Sequence, residues 1–285
     1  MVTKINRYNK DEIIEWNWST EHELLQRPFW TSCYLIDDLL IDSGAPGGIA
    51  ELREFIKSQQ DRQKIKKCVL THAHEDHAGG AHIIKEEFGI PVYASKKSLP
   101  ILRAGYDYLE YRQITWGSQL LPVEAELVKE PIVTSSKGYV FEILPMPGHA
   151  PDLIALIEKQ QQWAFVADAV QPKYKMIFGG TCGIQEDISE IYYSIQNLYE
   201  FTEDMENLQI FVSGREVFKG RKILTTRLAE IDALHKAAHE FYNQGLEEEQ
   251  ILEKMFNGES MFAALTQGEL SRMNLLRSLL NWSLE

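Results

Sequence analysis

His72-Ala73-His74-Glu75-Asp76-His77 gathers three of the chain's eight histidines and an aspartate into six consecutive residues. Upstream, Lys67-Cys68-Val69-Leu70-Thr71 reads as a short buried strand. Downstream, residues 78–88 read as a helix with an apolar face. The cluster therefore falls on a strand-to-helix loop, where an extended segment can turn its side chains toward one point. Asp76 and His77 come at or just before the helix start, where the helix dipole favours a carboxylate. Nitrogen and carboxylate donors suit zinc, iron or manganese, and no thiolate is needed. The spacing predicts a metal site.

Working outward, the first half alternates strand and helix signals. Residues 32–36 and 39–41 read as strands joined by a turn at Asp37-Asp38, followed by Asp42-Ser43-Gly44 and a helix over 49–59. A strand with Pro91 near its start covers 89–94. Residues 100–130 are irregular and aromatic-rich (Tyr106, Tyr108, Tyr111, Trp116), which fits a helical insertion over the site or a helix pair packed on the core. Strands are expected over 139–144, 153–157 and 163–167, then a helix over 188–202 and a strand over 209–213. Residues 225–284 read as helical throughout, with Gly245 as a stop.

Two further donors stand at the ends of the later strands. His149 lies in Pro145-Met-Pro-Gly-His-Ala-Pro151, a Pro/Gly context that fixes a loop, and Asp168 ends Phe165-Val-Ala-Asp. A sheet delivering both to one edge would complete a metal shell.

Composition bounds the partners. With 285 residues, 44% hydrophobic and 25% charged, the chain suits one large α/β-type core with an appendage. The formal charge of −13 and the lack of a basic run argue against a nucleic-acid partner. The N-terminus does not read as a signal peptide, and no stretch approaches a membrane span. Cys33, Cys68 and Cys182, odd in number and far apart, suit free thiols of a reducing compartment, so a cytoplasmic location is expected.

Asp42 in Leu-Ile-Asp-Ser-Gly, the H-x-H-x-D-H loop, Pro-Gly-His149 and Asp168 together resemble the metallo-β-lactamase superfamily, over roughly residues 30–215. That resemblance implies an α+β fold, a four-layer αββα sandwich, with a core over 1–222. A helical C-terminal extension over 223–285 would pack on the core or at a homodimer interface. It implies that His72, His74 and His149 hold one metal, and that Asp168 bridges to a second held by Asp76 and His77. Asp42 would order the loop from behind. The cofactor would be Zn(2+), one or two per chain, with iron or manganese as alternatives.

One position departs from the family. Its last histidine, after the final core strand, is replaced here by Arg215, and no histidine occurs between His149 and His235. A guanidinium has no lone pair to give. Held about 4 Å from a dication at an effective dielectric of about 20, it would add roughly 8 kcal/mol of repulsion. Three arrangements stay open: Arg215 turned away with Glu216 or water in its place, paired with Asp76, or projecting to clamp a substrate anion. A weakened or empty second site is expected. His235 and His239, spaced i, i+4 on a helix, read as surface or packing residues.

A divalent ion with open positions lowers the pKa of water and polarises the bond under attack. Asp76 is placed to orient the nucleophile or take its proton. The expected activity is hydrolysis of a small acyl substrate (thioester, lactone or ester), resembling the glyoxalase II, thioesterase and lactonase branch. Lys173, Tyr174, Lys175 and Arg215 are candidate substrate contacts. The alternatives are phosphodiester hydrolysis, or a ligand-binding member that has lost turnover through Arg215.

Overall fold

The computed structural model describes residues 1–22, 28–60, 64–180, 185–214 and 216–283, and the elements named are those of the described residues. The first sheet contains β1 (Val2–Tyr8), β2 (Ile13–Ser19), β3 (Thr31–Ile36), β4 (Leu39–Ile41), β5 (Lys67–Val69), β6 (Val92–Ala94) and β7 (Glu126–Leu127), hydrogen-bonded in that order. The second contains β8 (Ile132–Val133), β9 (Val140–Pro145), β10 (Ile154–Glu158) and β11 (Trp163–Ala167). After the short β12 (Ile177–Phe178), which lies outside this sheet, it is joined by β13 (Gln209–Val212) and β14 (Phe218–Lys219). Its spatial order is β14-β13-β11-β10-β9-β8.

Period-two patterning distributes the strand residues between three apolar cores. On β3 and β4, Tyr34, Ile36, Leu39 and Ile41 face the second sheet and meet Phe141, Leu156, Trp163, Phe165 and Phe211. Their alternates Leu35 and Leu40 face outward, onto Leu52 and Ile56 of α1 (Ile49–Gln60) and Ile83 and Ile84 of the helix after the metal loop. On the far side, Ala155, Ile157, Ala164 and Val166 pack under α6 (Ile188–Phe201), α7 (Lys222–Asn243), α8 (Glu248–Phe256) and α10 (Arg272–Asn281). Helix, sheet, sheet, helix: the expected αββα layering is what these cores build.

The β3–β4 turn at Asp37-Asp38 forms as the sequence predicts, with Asp37 at φ +51. β4, β5 and β6 then run parallel, linked through helices. The helix expected over 78–88 is two pieces, α2 (Glu75–Ala78) and α3 (Ala81–Glu86), so Glu75, Asp76 and His77 already belong to a helical turn. The break comes at Gly80, where a Cβ would lie 2.4 Å from the Ser43 carbonyl oxygen. The aromatic-rich stretch holds α4 (Ser98–Ala104) and α5 (Glu110–Trp116).

Two features differ from the sequence reading. Two antiparallel strands, β1 and β2, precede the predicted hairpin. The tail is not helical throughout. Between α9 (Met261–Leu265) and α10 it forms β15 (Leu270–Ser271), which pairs with β12. Gly268 at φ +84 and Asn257 at φ +57 break the helical run. Cys33 and Cys68 are buried free thiols, whereas Cys182 lies outside the described residues. No helix among the described residues is long and apolar enough to cross a membrane.

Candidate metal centre

The donors leave strand ends of both sheets at one edge. The chain leaves β5 through Leu70-Thr71 into His72, leaves β9 toward His149, and leaves β11 directly into Asp168. The Ile154 N–H donates to the Thr71 carbonyl at 2.9 Å and fastens the two sheets there. A register shift in β11 and a positive φ of 46° at Ala167 turn the chain sharply at Asp168.

Asp42, at φ +63 beyond β4, supports the loop from behind. Its Oδ1 accepts the Thr71 N–H at 2.7 Å, and its Oδ2 lies 2.8 Å from His77 Nδ1. With Nδ1–H donating to Asp42, His77 Nε2 faces forward, 3.0 Å from Asp168 Oδ2 and 3.6 Å from Asp76 Oδ2. Thr31 Oγ1 donates to the Asp76 carbonyl.

His149 is placed by its neighbours. Gly148 takes φ +128, and a Cβ there would come within 2.4 Å of Ile191 N, so only glycine lets the loop pass over α6. Glu186 Oε1 lies 2.6 Å from His149 Nδ1, while its Oε2 accepts the Phe178 N–H at 2.8 Å. His149 Nε2 then lies 3.1 Å from His74 Nδ1 and 3.6 Å from Asp168 Oδ2. Asp152 joins the two ligand loops: its Oδ2 accepts the Ala73 N–H at 2.9 Å and the Ser98 hydroxyl at 2.7 Å.

These surroundings fit a cation. The His72 ring lies 4.5, 4.2 and 5.3 Å from the rings of His74, His77 and His149. Its Nε2 is buried with no hydrogen-bond partner among the described residues, a loss that a metal bond would relieve. Two triads have donor atoms within 4.8 Å of one another: His72, His74 and His149, and His72, His77 and Asp168. Burial, reinforced by the neighbouring imidazoles, holds His72 and His74 well below the usual histidine range, as neutral lone-pair donors. Burial acts the same way on His77, but Asp76, Asp42 and Asp168 outweigh it and hold that ring up. The Asp76 carboxyl is pushed up to about 6 by burial, against the pull of His77. Burial also works to raise Asp168, but the hydrogen bond and charge of His77 win and hold it below the carboxylate range.

Of the other expected contacts, Tyr174 is turned inward. Tyr174 is buried, and its hydroxyl donates to the Ala169 carbonyl at 3.1 Å and accepts the Gln171 N–H at 3.2 Å. It closes the loop after Asp168 on itself. Lys173 and Lys175 beside it are exposed, as is Glu216. Arg215 lies outside the described residues. His235 is buried on α7 with its Nε2 2.7 Å from the Trp282 carbonyl, the packing role of the two read from the sequence. Glu186 and Asp152 escaped that reading. Asp152 had a signal, three residues past His149. Glu186 had none, since only folding brings it to His149.

Residues 27–189 match the family model described as the metallo-beta-lactamase superfamily. Among curated proteins, hydroxyacylglutathione hydrolase GloC of Haemophilus influenzae is 32% identical over 157 residues, covering 50% of this chain and 68% of that protein. A hydroxyacylglutathione hydrolase of Bdellovibrio bacteriovorus is 25% identical over 155 residues, 54% of this chain but only 51% of that relative. Among solved structures, a beta-lactamase domain protein from Burkholderia ambifaria has a TM-score of 0.69 at 16% identity, covering 97% of this chain and 87% of that one. A metallo-beta-lactamase from Pontibacter korlensis has a TM-score of 0.62 at 16% identity, covering 80% and 98%. At such identities the structural likeness carries the fold. The family match, over more than half of the 285 residues, carries the affiliation. This chain belongs to the metallo-β-lactamase superfamily, among its hydrolases.

Proposed function

We propose that the protein hydrolyses a small thioester with the help of zinc. The observation that carries the reading is the convergence of His72, His74 and His149 around a buried, unpartnered ring nitrogen. It is supported by relatives named as hydroxyacylglutathione hydrolases, at modest identity.

His72, His74 and His149 would hold the first cation, and Asp76, His77 and Asp168 would offer a second, weaker position. Arg215 in place of the family's last histidine removes a lone pair from that second position. When bound, zinc supplies Lewis acidity, activating water and polarising the acyl carbonyl. The chain's own residues hold this arrangement. Glu186 and Asp42 set the tautomers of His149 and His77, and Asp76 accepts the proton released by the attacking water. Lys173 and Lys175, exposed beyond Asp168, are suited to the anionic end of a substrate. The acidic chain works in the cytoplasm on a small molecule, with the tail helices available to a homodimer.

The test is zinc titration into chelator-stripped protein, with turnover of S-lactoylglutathione, an aliphatic lactone and bis-p-nitrophenyl phosphate followed in parallel. Thioester hydrolysis that rises with the first equivalent of zinc is expected. Faster phosphodiester cleavage would replace this reading with the nuclease-like one. No turnover of any substrate at full occupancy would leave a binding protein.

A further inference from the structure

Glu75, between two metal-facing residues, is fully buried, and so is Glu269 in the tail, some 190 positions later. Arg112 of α5 lies between them. Its Nε and Nη2 donate to Glu75 Oε1 and Oε2 at 2.6 and 2.8 Å, a bidentate fork, and its Nη1 is 3.7 Å from Glu269 Oε1. The Tyr106 hydroxyl donates toward Glu75 Oε2 at 3.0 Å and the Ala73 carbonyl at 3.1 Å. The tail thereby reaches the loop that carries His74 and Asp76.

The same tail segment reaches the other ligand loop. β15 pairs with β12, and the Gly179 N–H donates to the Glu269 carbonyl at 2.8 Å. Phe178 of β12 gives its N–H to Glu186, whose other oxygen meets His149. Asn274 pins the strap: its Nδ2 donates to the carbonyls of Gly268 and Glu269 at 2.9 Å each.

We propose that residues 268–274 form a strap that positions the metal ligands from outside the site, through Arg112 to the His74–Asp76 loop and through β12 and Glu186 to His149. The strap touches no reacting atom. It adds to the links that Asp152, the Ile154–Thr71 hydrogen bond and the His149–His74 contact already make between the two loops. Two buried carboxylates flanking one guanidinium make Arg112 the point where the strap is most sensitive, because losing it leaves Glu75 buried without its bidentate cation. This inference rests on the metal reading of His74 and His149.

The test uses the full chain and reads zinc affinity by chelator competition, together with amide hydrogen exchange at residues 72–78 and 268–271. Asn274→Ala, remote from every donor, should weaken zinc binding several-fold and raise exchange at both segments. Arg112→Met should weaken it tenfold or more, the scale on which ligand-orienting groups act. Arg112→Lys keeps the charge but loses the fork, and should fall between. Adding Glu75→Gln to Arg112→Met should recover part of the affinity by removing the unpaired carboxylate. Wild-type affinity and unchanged exchange at 72–78 in both Asn274→Ala and Arg112→Lys would overturn the strap, even if Arg112→Met fails to fold. A wild type that holds no zinc would instead overturn the metal reading, and the exchange data would then decide the strap by themselves.

Discussion

At Asp42 one carboxylate serves both ends of the metal loop: one oxygen takes the Thr71 N–H where the loop begins, the other the His77 ring where it closes. Asp42→Asn isolates that role, because asparagine tolerates the left-handed backbone found there (φ +63) and keeps the size. The amide cannot accept at both positions as the charged group does. Zinc affinity should fall 10- to 100-fold with the thermal midpoint nearly unchanged, as chelator competition and calorimetry would show. An unchanged affinity would mean that the loop is held by its backbone alone. At this scale the sequence was most legible where several donors crowd a short stretch, as in His72–His77. It was silent about Glu186 and Arg112, whose partners lie 37 positions away in each case. Tyr174 misled for a related reason, since a hydroxyl beside two lysines gives no sign that it will turn inward.

The β3–β4 turn shows what an element does beyond linking strands. Asp37 Oδ2 accepts the N–H groups of Ser136 and Lys137 at 2.7 and 2.8 Å, and Asp38 Oδ1 accepts that of Ser135 at 3.2 Å. A hairpin of the first sheet thus grips the turn that leads into β9 of the second. Burial acts to raise the Asp37 carboxyl, but the Lys137 and Ser136 N–H groups outweigh it and hold the group below the usual range. A depressed folded value means the stabilisation is complete above about 3.9, where unfolded aspartate titrates, and is lost as pH falls through the folded value. Asp37→Asn should cost about 1.5–3 kcal/mol at pH 7. The gap in urea midpoints between variant and wild type should narrow below about pH 4, and a gap independent of pH would rule out the charge as its source. The apolar runs of β3, β4, β10, β11 and β13 located those strands within a residue or two, because burial on both faces leaves few polar breaks in them. β1 and β2, the longest strands, were missed. β12 and β15 left no such trace: two residues cannot display a period, and their pairing is set by the tail folding back.

At the scale of the whole molecule, the two sheets meet through a buried aromatic cluster. Phe165 stacks on Phe211 with ring centroids 4.6 Å apart and meets Tyr34 edge-on at 5.1 Å, almost fully out of solvent. Phe165→Ala should cost about 3–5 kcal/mol in urea unfolding, with the metal ligands untouched. A loss below about 1 kcal/mol would mean that the layers close over the gap. The alternation of strand and helix signals made a mixed α/β core legible, and the four-layer arrangement came only through the family resemblance carried by Asp42, the H-x-H-x-D-H loop, His149 and Asp168. The dependence of one sheet edge on the last helices was not legible, since it is written in contacts between distant segments. One of those contacts has a consequence for biosynthesis. Glu269 follows Arg112 by more than half the chain. At ribosomal rates of about 5–20 residues per second, that interval is roughly 10–30 s. Over its last 120 residues, from His149 onward, a nascent chain carries every candidate metal-binding histidine but not the carboxylate that completes the Arg112 cluster. The Arg112 cluster therefore closes only after all the candidate donors have been made, timed by the arrival of a residue that lies apart from them.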